Sequence, residues 1–296
     1  MRRSMLFIPA ANPKQVMFAA TMGADAIIFD LEDSVSPLEK DSARILLRNI
    51  LSTLDFSSVE VCVRINSLNS PYWRADLEEI VPLRPNLIMT PKSETREDIE
   101  TLAQAISEIE EKNNIEVGST GLIPLVETAL GIENAFVVAT ASPRVKAMLL
   151  GGEDLSADLQ CKRTQGGNEI DYARKRIVNA ARAAGIEIYD TPYTDAHDDV
   201  GIYADAQYAK SLGFTGKSAI SPRHVDAINE SFSPTQKEID YAYEVLEALA
   251  EGKAKGQGVV ALRGKMIDKP VETRAAQTVA IAKELGLERS PKNELD

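Results

Sequence analysis

Cysteine and histidine are scarce: the 296 residues hold two of each, Cys62 with Cys161 and His197 with His224. The cysteines are far apart and share no CxxC spacing, which excludes a disulfide framework or a thiolate metal site. His197 stands in an acidic loop, DAHDD, and reads as a surface residue. Cations are also short, with 33 Lys and Arg against 45 Asp and Glu and a formal net charge of -12. Nucleic acid or an anionic membrane would need a broad cationic face, so neither is expected as a partner. No run reaches the roughly 18 apolar residues of a membrane-spanning helix. The opening MRRSMLFIPAANPK is basic and then apolar, but proline and lysine interrupt it too early for a signal peptide, and a cytoplasmic protein is expected. A glycine-rich GxGxxG turn after the first strand is missing as well, which argues against an open dinucleotide-binding sheet.

With 44% hydrophobic and 26% charged residues, the chain reads as an ordinary globular protein. Eight apolar runs of strand length alternate with helical patterns: Ser4 to Ala10, Ala26 to Asp33, Glu60 to Asn66, Leu87 to Lys92, Gly121 to Thr128, Ala147 to Asp154, Glu187 to Tyr193 and Gly216 to Pro222. Asn12-Pro13 and Ser36-Pro37 open helices, and Glu39 three residues after Ser36 suggests a capping box. From Thr95, apolar Ile99, Leu102, Ile106 and Ile109 recur at helical spacing. Further helices are expected around Asn134 to Thr140, Tyr172 to Ala184 and Asp199 to Leu212. Continuous apolar strands need cover on both faces, and eight strand–helix units close into an α/β (β/α)₈ TIM barrel. The barrel is expected over residues 1–230. Residues 231–296 form a C-terminal helical and lid extension, with helices Pro234 to Glu251 and Val271 to Glu284 around a flexible connection, Gly252 to Gly264.

Barrel enzymes place their chemistry at the C-terminal strand ends. Those ends carry Asp30, Glu32 and Asp33, then Arg64 and Asn66, Lys92, Glu127, Asp154, Asp190 and Lys217. Glu127 and Asp154 each close a buried apolar run, where an ionised carboxylate costs several kcal/mol unless a cation neutralises it. Oxygen ligands without nearby histidine favour Mg²⁺, or Mn²⁺, over zinc or copper. Two protein carboxylates leave positions for a bidentate 2-hydroxy or 2-oxo acid, with Arg64 near its oxygens. Two other readings stay open at this point. Lys92 or Lys217 at a strand end would suit a Schiff-base aldolase, and a non-catalytic scaffold would use no acid cluster at all.

The motifs RRSMLFIPA, FDLEDSV, VRIN, Pro91-Lys92, STGLIPLVETALGI, GGEDLSADL, GFTGKSAISPRHVD, SPTQKEIDYA and GKMIDKPV together resemble the HpcH/HpaI aldolase family, in its CitE-like branch of citrate lyase β subunits. The resemblance runs from Arg3 to about Arg274. It implies a carbon–carbon lyase that cleaves a citryl-CoA or citryl-acyl-carrier-protein thioester to oxaloacetate and an acetyl thioester. It implies Mg²⁺ on Glu127 and Asp154, substrate on Glu127 and Arg64, and Glu32 and Asp33 as acids that orient metal-bound water or Arg64. By the same resemblance Asp268, in the GKMID segment, is a catalytic acid/base that in related CoA lyases serves the neighbouring subunit. Partners implied are a CoA or acyl-carrier-protein thioester, the citrate lyase α and γ subunits, and further copies of the chain as a trimer or hexamer. Arg2, Arg3, Lys14, Lys40 and Arg44 are expected to meet the phosphates of the thioester arm. Stand-alone citramalyl-CoA or malyl-CoA lyases of the family share these motifs and form the alternative.

Overall fold

The computed structural model describes residues 1–254, 256 and 259–291. They fall into two compact units, each taken by itself: Arg2–Phe232, and Met1 with the residues from Ser233 on.

In the first unit, strands β1 (Ser4–Pro9), β2 (Ala26–Asp30), β3 (Glu60–Arg64), β4 (Leu87–Thr90), β5 (Gly121–Val126), β6 (Ala147–Leu150), β7 (Glu187–Asp190) and β8 (Gly216–Ala219) are all parallel and close on themselves through a β1–β8 pairing. This is a (β/α)₈ barrel. Successive side chains of a strand point to opposite faces, and two separate cores result. Met5, Ile28, Cys62, Met89, Leu125 and Leu149 fill the barrel interior. Their neighbours Leu6, Ile27, Val63, Ile88, Val126 and Leu150 pack outward against the helices.

All eight expected strands are present, but several end earlier than their apolar runs. The sixth run breaks at Gly151: β6 stops at Leu150, and the helix Gly152–Asp158 begins at once. Asp154 therefore sits in the first turn of a helix and not at a strand end. The helix expected around Asn134 to Thr140 is present as Ala135–Ala139, and a second short helix, Ala129–Glu133, precedes it. The helix Arg96–Lys112 carries a complete capping box, Thr95 with Asp98, and buries Ile99, Leu102, Ile106 and Ile109. The capping box expected at Ser36 does not form. Pro37 instead starts a tight 3₁₀ turn in which the Glu39 N–H is taken by the Ser36 carbonyl at 2.8 Å, so the hydroxyl has no first-turn donor to accept.

The second unit pairs the helices Gln236–Ala254 and Lys269–Glu284 over Ala242, Val245, Leu249, Ala275 and Val279. The glycine-rich stretch between them is not merely a connection. Strands β9 (Val260–Leu262) and β10 (Lys265–Ile267) form an antiparallel hairpin. Its two turn residues, Arg263 and Gly264, both have positive φ, 48° and 74°, as a tight two-residue hairpin turn requires. Lys255, Gln257 and Gly258 of the expected hinge, and residues 292–296 of the charged tail, lie outside the described residues.

Beside β5, the fully buried carboxylate of Glu110 meets the Arg144 guanidinium at 2.5 and 3.1 Å and accepts the N–H groups of Gly118 and Thr120 at 2.8 and 2.9 Å. Burial works against its charge, but these donors outweigh it and bring the pKa from 4.5 down to about 2. A depressed acid stabilises the fold above its unfolded pKa and loses that contribution as pH falls toward the folded value. Glu110→Gln is thus expected to lower unfolding free energy at pH 7 by about 3 kcal/mol, because Arg144 is left buried and uncompensated. In urea titrations the gap to wild type should narrow as pH drops from 4.5 toward 2. A gap of constant size would contradict the assignment.

Candidate active site

Alternation along the strands decides which polar residues reach the barrel mouth. Asp30 and Arg64 continue the inward series of β2 and β3, Ile28 and Cys62 being two residues earlier, and Glu127 follows Ile123 and Leu125 on β5. All three line a cavity of about 410 Å³, together with Asp33, Ser34, Gly151, Gly152, Glu153, Asp154 and Thr191 and an apolar wall that includes Phe7, Leu125, Leu149 and Ile220.

Asp190 and Lys217 fall on the opposite parity and are not in the mouth. Lys217 Nζ lies 2.7 Å from Asp190 Oδ2 and 2.5 Å from Asp205 Oδ2, and Arg174 binds Asp190 through a two-pronged contact at 2.9 and 2.8 Å. Arg174 and Asp205 belong to the surrounding helices Asp171–Ala184 and Asp199–Leu212. This closed quartet braces the outer layer, and a fully buried ammonium bound to two carboxylates is no nucleophile. Asn66 also turns away, donating its amide to Asp76 Oδ2 at 2.7 Å. His197 is exposed beside Arg223.

The basic cluster expected to meet phosphates is otherwise engaged. Arg2 binds Glu60, Glu187 and the Tyr189 hydroxyl at the N-terminal end of the barrel, opposite the mouth, and Arg3 pairs with Asp25 at 2.8 Å. Lys40 is buried and donates to the carbonyls of Leu31 and Glu32 at 2.8 and 2.6 Å. Arg44 is held by Asp76 and Asp41, each at 2.8 Å, which leaves Lys14 as the exposed member.

Arg64 is fixed from three sides. Its Nε and Nη2 donate to Asp30 Oδ1 and Oδ2, both at 2.7 Å, Nη1 lies 3.2 Å from Glu32 Oε2, and the guanidinium sits 5.1 Å above the centre of the Phe7 ring. Burial opposes its charge, but Asp30 and Glu32 outweigh that and hold it protonated. Asp30 takes two of the five guanidinium N–H groups in hydrogen bonds, and Glu32 adds its charge as an ion-pair partner without a hydrogen bond. Asp30, noted among the strand ends but given no role, is therefore the main orienting group; the period-two count from Ile28 was the signal that pointed to it. Glu32 contacts Arg64, while Asp33 lines the cavity without touching the guanidinium.

Glu127 is 2% exposed, and burial followed by the charge of Asp154 pushes its pKa up to about 8, against the pull of Arg64. Its Oε1 accepts the main-chain N–H of Lys92 at 2.9 Å. A side chain at Gly151 would place its first carbon 2.5 Å from Glu127 Oε2, so only glycine fits beside this carboxylate. Gly152 donates its N–H to the Thr191 hydroxyl at 2.9 Å, which ties the helix bearing Asp154 to the end of β7. Two carboxylates lining one cavity, with Glu127 resisting ionisation first through burial and then through the charge of Asp154, form a donor set that fits a hard divalent cation with few protein ligands. Among the described residues there is no group of three or more His, Cys, Asp or Glu side chains placed to hold a metal. Zinc sites of the tetrahedral kind are therefore not matched.

Lys92 has φ 52° and its Nζ lies 3.5 Å from Glu32 Oε1. Burial lowers its basicity, but Glu32, Asp33, Glu127 and Asp154 more than restore it, so the amine stays charged. A charged amine is unsuited to carbonyl attack. Asp268 belongs to the second unit, where it is the N-cap of the helix Lys269–Glu284 and accepts the Val271 N–H at 3.3 Å.

Residues 3–222 match the family model HpcH/HpaI aldolase/citrate lyase. The citrate lyase subunit beta of Leuconostoc mesenteroides subsp. cremoris is 42% identical over 95% of this chain and 93% of its own length. The mitochondrial citramalyl-CoA lyase of Homo sapiens is 32% identical over 95% of this chain and 85% of its own. A crystal structure of CitE from Mycobacterium tuberculosis, in complex with magnesium, acetoacetate and coenzyme A, superposes with a TM-score of 0.79 at 30% identity, covering 95% of this chain and 98% of that one. The chain belongs to the HpcH/HpaI aldolase/citrate lyase family.

Proposed function

We propose that the chain is a Mg²⁺-dependent carbon–carbon lyase that cleaves a 3-hydroxy-3-carboxy acyl thioester, citryl-CoA or citryl-acyl-carrier protein, to oxaloacetate and an acetyl thioester. The observation that carries this reading is the pairing of Glu127 with Asp154 opposite a guanidinium locked in place by Asp30 and Glu32. Likeness to citrate lyase β subunits over nearly the full length supports the substrate class. The 32% identity to a citramalyl-CoA lyase supports the second reading, in which the oxo acid released carries one carboxylate fewer. A malyl-CoA lyase is a further variant of the same chemistry.

Glu127 and Asp154 would hold Mg²⁺, which supplies a positive clamp for the hydroxyl and carboxylate that become the 2-oxo acid. A base takes the hydroxyl proton as the adjacent carbon–carbon bond breaks, and the bonding pair passes to the leaving thioester carbon, giving the oxo acid and a thioester enolate. The N–H groups of Arg64 that Asp30 does not take are set to donate to oxygens on which negative charge grows. Because Asp30 fixes the fork beforehand, little reorganisation is needed as charge develops. Asp268 is assigned as the acid that returns a proton to the enolate carbon, acting across a subunit boundary. The same reading takes the citrate lyase α and γ subunits as partners and the chain as a homo-oligomer, trimer or hexamer. No described helix is long and apolar enough to cross a membrane.

The test is a panel of citryl-, citramalyl- and malyl-CoA with Mg²⁺, the products identified by mass: citryl-CoA is expected to turn over fastest, and faster citramalyl-CoA cleavage would select the second reading. Glu127→Gln and Asp154→Asn should each lower metal-dependent cleavage by about 10²-fold or more and abolish the rise in Tm on adding Mg²⁺. Wild-type rates for either variant in EDTA would sink the metal assignment. Asp268→Asn should reduce kcat by about 10²-fold with KM little changed. Co-assembly with Arg64→Ala should restore part of the rate; verified mixed oligomers that stay inactive would remove the subunit-crossing role.

A further inference from the structure

We propose that Lys92 positions Glu127 through its main chain, its left-handed backbone aiming an N–H at one oxygen of the carboxylate while Gly151 bounds the other. This rests on the reading of Glu127 as a cation ligand. Lys92 is one of five described non-glycine residues with positive φ, and it stands between β4 and the helix Arg96–Lys112 within hydrogen-bond reach of Glu127. That conformation crowds Cβ against the backbone, and glycine or asparagine adopts it with less strain. The turn is tied down on both sides: Ser93 N donates to Leu125 O at 3.2 Å and Ser93 Oγ to Thr90 O at 2.9 Å. Leu125 is two residues before Glu127 on the same face of β5, so the strained turn and the carboxylate share one support. With φ at 52°, the Lys92 N–H reaches Glu127 Oε1 at 2.9 Å. On the other side, a Gly151 Cβ would fall 2.5 Å from Oε2. The carboxylate is thereby held in one orientation before any cation arrives. Preorganisation of this kind keeps the cost of ordering the ligand out of the binding free energy.

Backbone and ammonium are separated by comparing replacements that all lack the charge. Mn²⁺ affinity is measured by calorimetry or electron paramagnetic resonance on the full chain, with Tm recorded alongside. Lys92→Gly and Lys92→Asn are expected to bind Mn²⁺ within about threefold of each other, and Lys92→Thr about tenfold more weakly, following the cost of the left-handed conformation for a β-branched residue. Equal affinity for the Gly and Thr variants, with only Tm differing, would overturn the inference and leave the turn a structural one. Equal, large losses in all three would assign the effect to the ammonium instead and overturn it too. If Lys92→Thr does not fold, Lys92→Asn against Lys92→Ala carries the same comparison, with Asn expected to bind several-fold more tightly. Failure of the wild-type chain to bind Mn²⁺ would remove the metal reading itself, an outcome distinct from either of these.

Discussion

A carboxylate buried at the end of a barrel strand has to be compensated, and in this chain that requirement falls on Glu127. Its neighbours are arranged around the problem: a main-chain donor on one oxygen, a glycine beside the other, Arg64 near by and a second acid, Asp154, that makes ionisation harder. Alone, the last of these would be a destabilising choice. A divalent cation would turn the same two charges into ligands, the arrangement on which the proposed metal-assisted reaction rests.

The contrast with the other buried charges is instructive. Glu110 with Arg144, and Asp190 with Arg174, Lys217 and Asp205, are closed sets in which acid and base meet inside the protein. Such sets neutralise themselves and leave nothing for a ligand. The mouth is left open: Asp30 takes only two of the Arg64 N–H groups in hydrogen bonds, and neither Glu127 nor Asp154 has an ion-pair partner within 4 Å among the described residues. Stability and function are thus distinguished by whether the local charges balance.

Much of the barrel was legible along the chain, because a parallel strand covered on both faces reads as an apolar run and the eight runs are separated by helical patterns. The candidate acids were legible for the same reason, as polar residues where those runs stop. Strand parity is legible too: counting by twos from Ile28 and Cys62 selects Asp30 and Arg64, and counting from Ile188 and Ala219 sends Asp190 and Lys217 to the helices. The strand-end charges therefore do not form one cluster. The basic residues near the N-terminus show the complementary failure. Closeness in sequence suggested a patch, yet strand direction puts Arg2 and Arg3 at the far end of the barrel and the helix Lys40–Leu51 buries Lys40 and Arg44.

By itself the sequence determined the strand–helix alternation, the hydrophobic faces and the positions of Glu127, Asp154 and Arg64, since each follows from periodicity and from residues adjacent in the chain. Its full-length likeness to the lyase family added the chemistry. Only the tertiary structure decided that Asp154 stands in a helical turn after the Gly151-Gly152 break, that Asp30 grips Arg64, and that the Lys92 N–H meets Glu127. Those contacts join residues about 30 or more positions apart, and whether two such residues touch depends on the stagger and closure of the barrel, which no local pattern encodes.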